Sequence, residues 1–281
     1  MPHESRGAQG APLRRLRALL ASVLAALVGL GALAVVAPAA RAATFKVVIV
    51  VGPAGSSTAN YRSSANLLAA QAAGYGADVV RVYSPNATWS RVATAARDAN
   101  VLIYLGHGNG WPSPYPPFSA AQKDGLGLNP WLGSGDTATR YFGESYVARL
   151  GLASNAVVIL NRLCYASGDS EWGAANPSRA VAIERVDNYG AGFLRSGARA
   201  VFASGITSVG YVLRGLFAGP ASMTLGRLFR ADPSSTGANT ISFTGTRTAG
   251  TAALLDPYAP NRYYRSVIGW LSTTVGDWRS G

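Results

Sequence analysis

Val101-Leu102-Ile103-Tyr104-Leu105-Gly106-His107-Gly108 is the stretch on which the fold turns. Its first five residues are apolar without alternation, the pattern of a strand covered on both faces, and Gly106 closes it. The same pattern recurs on either side. Upstream lie Phe45-Lys46-Val47-Val48-Ile49-Val50-Val51 and Asp78-Val79-Val80-Arg81-Val82-Tyr83. Downstream lie Ala156-Val157-Val158-Ile159-Leu160-Asn161-Arg162-Leu163 and Ala200-Val201-Phe202-Ala203. Helical segments separate them. Ser57 or Thr58 is positioned to cap one that runs through Ala73 and stops at Gly74, and Thr88 caps one with Trp89, Val92, Ala93 and Ala96 on its apolar face. A short helix falls near Ser145–Leu150, and Asn176-Pro177 opens a longer one that runs to Gly197 with Pro at its first position. Strands alternating with helices predict an α/β fold: a mainly parallel sheet with helices on both faces and ligands at the carboxyl ends of its strands.

The composition sets outer limits. Of 281 residues 48% are hydrophobic and only 14% charged, which is too apolar for a disordered chain. Arg6, Arg14, Arg15 and Arg17 precede an uncharged run from Ala18 to Val36, which leads to Ala40-Arg41-Ala42. That is the pattern of an export signal cut after Ala42, by the general secretory route because Arg17 spoils a twin-arginine motif. The protein is then secreted or held at the cell surface; left uncut, the run is long enough to be a membrane anchor. Without residues 1–42, which carry five Arg and one Glu, the chain keeps 20 basic and 12 acidic side chains. It has no dense basic run interleaved with aromatics, so nucleic acid is not an expected partner.

The same cut removes His3 and leaves one histidine, His107, and one cysteine, Cys164. A disulfide framework, a Cys-rich zinc site and any chemistry needing two histidines are excluded. His107 lies just past the third strand and Cys164 at the end of the fourth, so both sit on one rim if those strands are neighbours. A thiol needs a base or a positive neighbour to act as a nucleophile. Gly108 lets the backbone approach a ligand closely.

A hydrophobic strand ending in His107-Gly108, followed by a hydrophobic strand ending in Cys164, resembles the caspase-like cysteine peptidases: caspases, metacaspases, legumain, gingipains and clostripain. Phe193-Leu194-Arg195-Ser196-Gly197-Ala198-Arg199-Ala200-Val201-Phe202-Ala203-Ser204 is similar to their helix-to-strand passage after the cysteine. The resemblance covers about residues 45–215. It implies a caspase/haemoglobinase fold with a flavodoxin-like strand order, a Cys164 nucleophile, His107 in proton transfer, and an oxyanion hole from the N–H groups of Gly108 and Cys164. The residue before the cysteine is usually small in this family; here it is Leu163.

In several relatives the residue two before the cysteine lines the first specificity pocket. Here it is Arg162, which period-two alternation puts on the face of Cys164 and which favours an acidic or polar substrate residue. Asp169 and Glu171 stand just beyond and can pair with Arg162 or with a basic substrate. Gly168-Asp169-Ser170 resembles a serine-esterase block, but no histidine follows it. No cofactor is expected; Asp124 and Asp136 sit among glycines, match no EF-hand loop, and read as solvated turns with calcium as the alternative.

The expected domains are an α/β unit over residues 43–231 and a β-rich C-terminal extension over 232–281, which can pack on the same unit. Three functions are open. The first is an exported cysteine peptidase acting on peptides or proteins. The second is a non-catalytic module that binds a cell-wall component or protein partner through the aromatic-rich loop 109–142. The third is a hydrolase of another ester or amide bond. Loop 106–143 is long and carries Trp111, Tyr115, Phe118, Trp131 and Tyr141, so it is expected to be ordered.

Overall fold

The computed structural model describes residues 44–281 apart from 236, 238 and 260; the export segment read at residues 1–42 lies outside them. The strands are β1 (Lys46–Val51), β2 (Asp78–Tyr83), β3 (Val101–Leu105), β4 (Leu126–Leu128), β5 (Arg140–Phe142), β6 (Ala156–Asn161), β7 (Ala198–Ser204), β8 (Ile241–Thr244), β9 (Ala252–Asp256) and β10 (Arg265–Gly269). Eight of them form one sheet in the order β2-β1-β3-β6-β7-β10-β9-β8, while β4 and β5 make a separate hairpin. From β2 to β7 neighbours run parallel; β10, β9 and β8 pair antiparallel. The C-terminal strands thus extend the central sheet itself.

The unbroken apolar strands have a direct cause, because each face of the sheet buries its own core. Val48, Val50, Leu102, Tyr104, Val158 and Leu160 face one layer, and Val47, Ile49, Val51, Ile103, Val157 and Ile159 face the other. The second layer receives α1 (Thr58–Gly74), whose Ala65, Leu68, Ala69 and Ala72 repeat at helical spacing. The first receives α2 (Trp89–Ala96) through Val92 and Ala96. The short α3 (Glu144–Val147) also joins it, as does α4 (Arg179–Arg195) through Ala182, Val186, Tyr189 and Phe193. Then α5 (Gly210–Ala218), α6 (Leu225–Arg230) and α7 (Val275–Ser280) return to the second layer, where Trp278 stacks on Phe45. Among the described residues no helix is long and apolar enough to cross a membrane.

Three local expectations change. α4 begins after Ser178, whose extended backbone and side chain accepting the Val181 N–H make it the cap, so Pro177 precedes the helix instead of opening it. Ser57 caps nothing with its side chain; Thr58 Oγ1 accepts the Ala54 N–H instead. The fourth strand stops at Asn161 because Arg162 adopts φ 61°.

Below the sheet, Arg265 of β10 is buried between Asp256 and Asp232, each about 2% exposed at its side chain. Its Nη2 lies 2.8 Å from Asp256, Nη1 contacts Asp232, and the guanidinium stacks 4.4 Å from the Phe229 ring centre. This cluster joins β9, β10 and the end of α6 at three buried charges.

Candidate active site

Strands β3 and β6 are hydrogen-bonded neighbours with Leu105 opposite Asn161, so the segments leaving their carboxyl ends emerge side by side. One carries His107 and the other Cys164. Buried Tyr104 holds the first segment: its hydroxyl donates to the Gly127 carbonyl (2.6 Å) and lies 3.0 Å from the His107 carbonyl, and the Gly127 N–H donates to the His107 carbonyl at 3.1 Å. The β4–β5 hairpin is therefore the platform on which the histidine backbone rests.

The cysteine turn is pinned from the other side. The Arg162 N–H donates to Ser204 at the end of β7, and the Ser266 hydroxyl to the Ala166 carbonyl. Arg162 and Tyr165 take φ of 61° and 69°, a left-handed conformation that non-glycine residues enter at a cost. Cys164 lies between these two strained residues. The alternation argument for Arg162 fails here because the strand has already ended, yet Arg162 and Cys164 still line one cavity.

Gly108 fits directly against this turn. A Cβ on it would lie 2.5 Å from the Cys164 carbonyl oxygen, 2.7 Å from the Tyr189 hydroxyl and 3.3 Å from the Cys164 nitrogen. Among the described residues, the N–H groups of Gly108 and Cys164 donate to no carbonyl or neighbouring side chain. Gly108→Ala is expected to push the two segments apart and cost about 1–3 kcal/mol, the range for overpacking, which a shift of the thermal melting curve would measure.

Burial pushes the Cys164 thiol above its ordinary pKa, Glu171 and Asp169 push it further, and its own backbone N–H works the other way. His107 is exposed, but partial desolvation lowers its pKa. Both shifts favour a protonated thiol and an uncharged imidazole at neutral pH. No hydrogen bond joins the two side chains among the described residues.

Cys164 opens into a cavity of about 490 Å³. Its walls come from Tyr61 of α1, Arg162, the loop with Asp169, Glu171 and Trp172, Ile206 beyond β7, and Arg262 and Tyr264 between β9 and β10. His107 stands outside this lining. Asp169 pairs with Arg262 at 3.5 Å, and Glu171 accepts the Tyr115 hydroxyl, so neither expected acid pairs with Arg162. Tyr61, Arg262 and Tyr264 carry no linear signal of a site; only strand order delivers them. Ser170 donates to the Ala175 carbonyl and accepts from Arg185. Leu163 is buried in the core.

No family model matches this chain, and no curated protein or solved structure matches it either.

Neither aspartate of loop 106–143 behaves as a free turn. Asp136 holds Arg62 through two contacts of 3.1 Å. Asp124 is fully buried, against the expectation of a solvated turn. Its Oδ1 accepts the Trp111 N–H at 2.9 Å, its own N–H donates to Asn109, and Oδ2 has no hydrogen-bond partner. Among the described residues no cluster of three metal-ligating side chains is present.

Burial raises Asp124 to a pKa of about 7, the Trp111 N–H opposing and Glu144 adding to the rise. The folded state therefore holds a proton that the unfolded chain, near 3.8, has released. Its contribution is complete below the unfolded value and lost as pH rises through 7. Asp124→Asn should gain melting temperature relative to wild type between about pH 5 and pH 8, since an amide keeps the Trp111 contact without titrating. A pH-independent difference would contradict this.

Proposed function

We propose that this protein is a cysteine peptidase of the caspase-like kind, exported from the cell, in which Cys164 attacks the scissile carbonyl and His107 moves the proton. The observation that carries the reading is the placement of the only histidine and the only cysteine beyond residue 42 at the ends of adjacent parallel strands, with Gly108 against the Cys164 backbone and a cavity alongside. The parallel order β2-β1-β3-β6-β7 supports this reading, in which the sheet is flavodoxin-like.

In this mechanism a neutral imidazole takes the thiol proton as sulfur bonds to the carbonyl carbon. The N–H groups of Gly108 and Cys164 receive the developing oxyanion. His107 then returns the proton to the leaving amine, and water releases the acyl group from sulfur. The cavity takes a substrate side chain. No step calls on a cofactor.

A second reading, a binding module acting through loop 109–142, draws on the raised thiol pKa and on Tyr115 and Phe118, 55% and 43% exposed. The deciding experiment is digestion of a diverse peptide mixture by the protein and by its Cys164→Ala variant, read by mass spectrometry. Cleavage lost in the variant supports the peptidase. Cleavage that survives, or none under any condition, removes it.

A further inference from the structure

His107 and Cys164 stand on separate loops and share no side-chain hydrogen bond, so their alignment depends on what holds one loop against the other. Arg185 of α4 contacts both. It is buried, 5% exposed. Its Nε donates to the Pro112 carbonyl at 2.7 Å, in the loop leaving His107. Its Nη1 reaches the Gly168 carbonyl at 3.3 Å and the Ser170 hydroxyl at 3.1 Å, in the loop leaving Cys164. Its guanidinium lies 4.8 Å from the ring centre of Tyr165, the left-handed residue that follows the cysteine. Ser170 in turn donates to the Ala175 carbonyl at 2.7 Å.

The helix adds two contacts on the same side. Asn188 and Tyr189 stand three and four residues beyond Arg185, so the three share one face of α4. Asn188 Nδ2 donates to the Trp111 carbonyl at 2.9 Å, and the Tyr189 hydroxyl to the Gly125 carbonyl at 2.7 Å. Both of these bonds go to the histidine side; Arg185 bonds to both sides. The Tyr115–Glu171 bond also crosses between the loops, but it lies in the exposed region, where water competes with it.

A buried cation is costly unless its surroundings compensate it. Arg185 has no ion-pair partner among the described residues. Two carbonyls, a hydroxyl and an aromatic face receive it instead. An apolar side chain would fill the same space without that cost, but it could not bond two loops at once. The planar guanidinium holds its donors in fixed, divergent directions.

We propose that Arg185 sets the alignment of His107 with Cys164, by bridging the loop that leaves the histidine to the loop that leaves the cysteine. The proposal rests on the peptidase reading. Arg185 is a positioning residue: it bonds to neither reacting side chain and acts through Pro112, Tyr165, Gly168 and Ser170.

The test uses a fluorogenic peptide carrying a bond that the wild type cuts. Arg185→Lys keeps the charge and loses the fork; Arg185→Gln loses both. Each should lower kcat about 10²-fold, the cost of a small misplacement at a reacting centre, and leave KM nearly unchanged. Alkylation of Cys164 by iodoacetamide needs no partner aligned with the thiol, so it should keep its wild-type rate.

An unchanged kcat in both variants overturns the proposal and leaves the peptidase standing. So does a kcat loss matched by an equal change in alkylation, which marks a cysteine loop that has come apart. If neither variant folds, Ser170→Ala decides: kcat should fall about tenfold with KM unchanged, the scale of one hydrogen bond to a charged group, and an unchanged kcat overturns the proposal. A wild type that cuts no peptide defeats both readings.

Discussion

Replacing His107 by Ala is expected to lower peptide hydrolysis by about 10²–10⁴-fold, the usual contribution of a positioned proton-transfer group. Unfolding free energy should stay within about 0.5 kcal/mol, as for other exposed substitutions. The effect is large because the Cys164 thiol is held protonated at rest. Its thiol is raised by burial, by Glu171 and by Asp169, more than its own backbone N–H lowers it. Deprotonation must therefore accompany attack, and His107 is the only imidazole beyond residue 42. The pH profile gives an independent check. Desolvation holds His107 below its ordinary 6.5, so the base stays competent into mildly acidic solution and the acid limb of the rate should lie below 6.5. The limb should vanish in the variant. Equal rates in wild type and His107→Ala would remove the proposed mechanism.

Arg265→Ala is the largest expected stability effect, about 3–5 kcal/mol, because it removes a buried cation that contacts two buried carboxylates. Asp232 and Asp256 each expose about 2% of their side chains, so water cannot replace the guanidinium. The Phe229 stacking contact is lost as well. Replacing the whole cluster, Arg265→Met with Asp232→Asn and Asp256→Asn, should cost less than the single change, since the penalty lies in unpaired charge more than in the lost pair. Denaturant unfolding of the three proteins measures both numbers; a single variant no less stable than the triple one would show that the carboxylates are relieved in another way. The cluster also bears on the site. Arg265 directly follows the segment with Arg262 and Tyr264, so it anchors the β9–β10 loop that walls the cavity.

The position of His107 and Cys164 at strand ends was legible because both follow apolar runs that only a doubly covered strand explains. The end of β6 was not. Asn161-Arg162-Leu163 continues the run in composition, and the break comes from a left-handed Arg162 that no local pattern announces. Pro177 misled in a similar way, because Ser178 supplies a cap that sequence order alone does not rank above it. Asp124 looked like a turn residue among glycines, but loop 106–143 folds over it and the Trp111 N–H claims one oxygen.

The sequence by itself determined the alternation of strands and helices, the two-faced apolar core, and the pairing of one histidine with one cysteine beyond the export segment. These follow from local periodicity and simple counting, which need no partner residue. Only the tertiary structure decided that β10, β9 and β8 continue the sheet, that Asp169 belongs to Arg262, and that Arg162 has no ion-pair partner among the described residues. Those outcomes join residues far apart along the chain. Burial and charge pairing depend on the distance in space between such residues, and the strand order sets that distance.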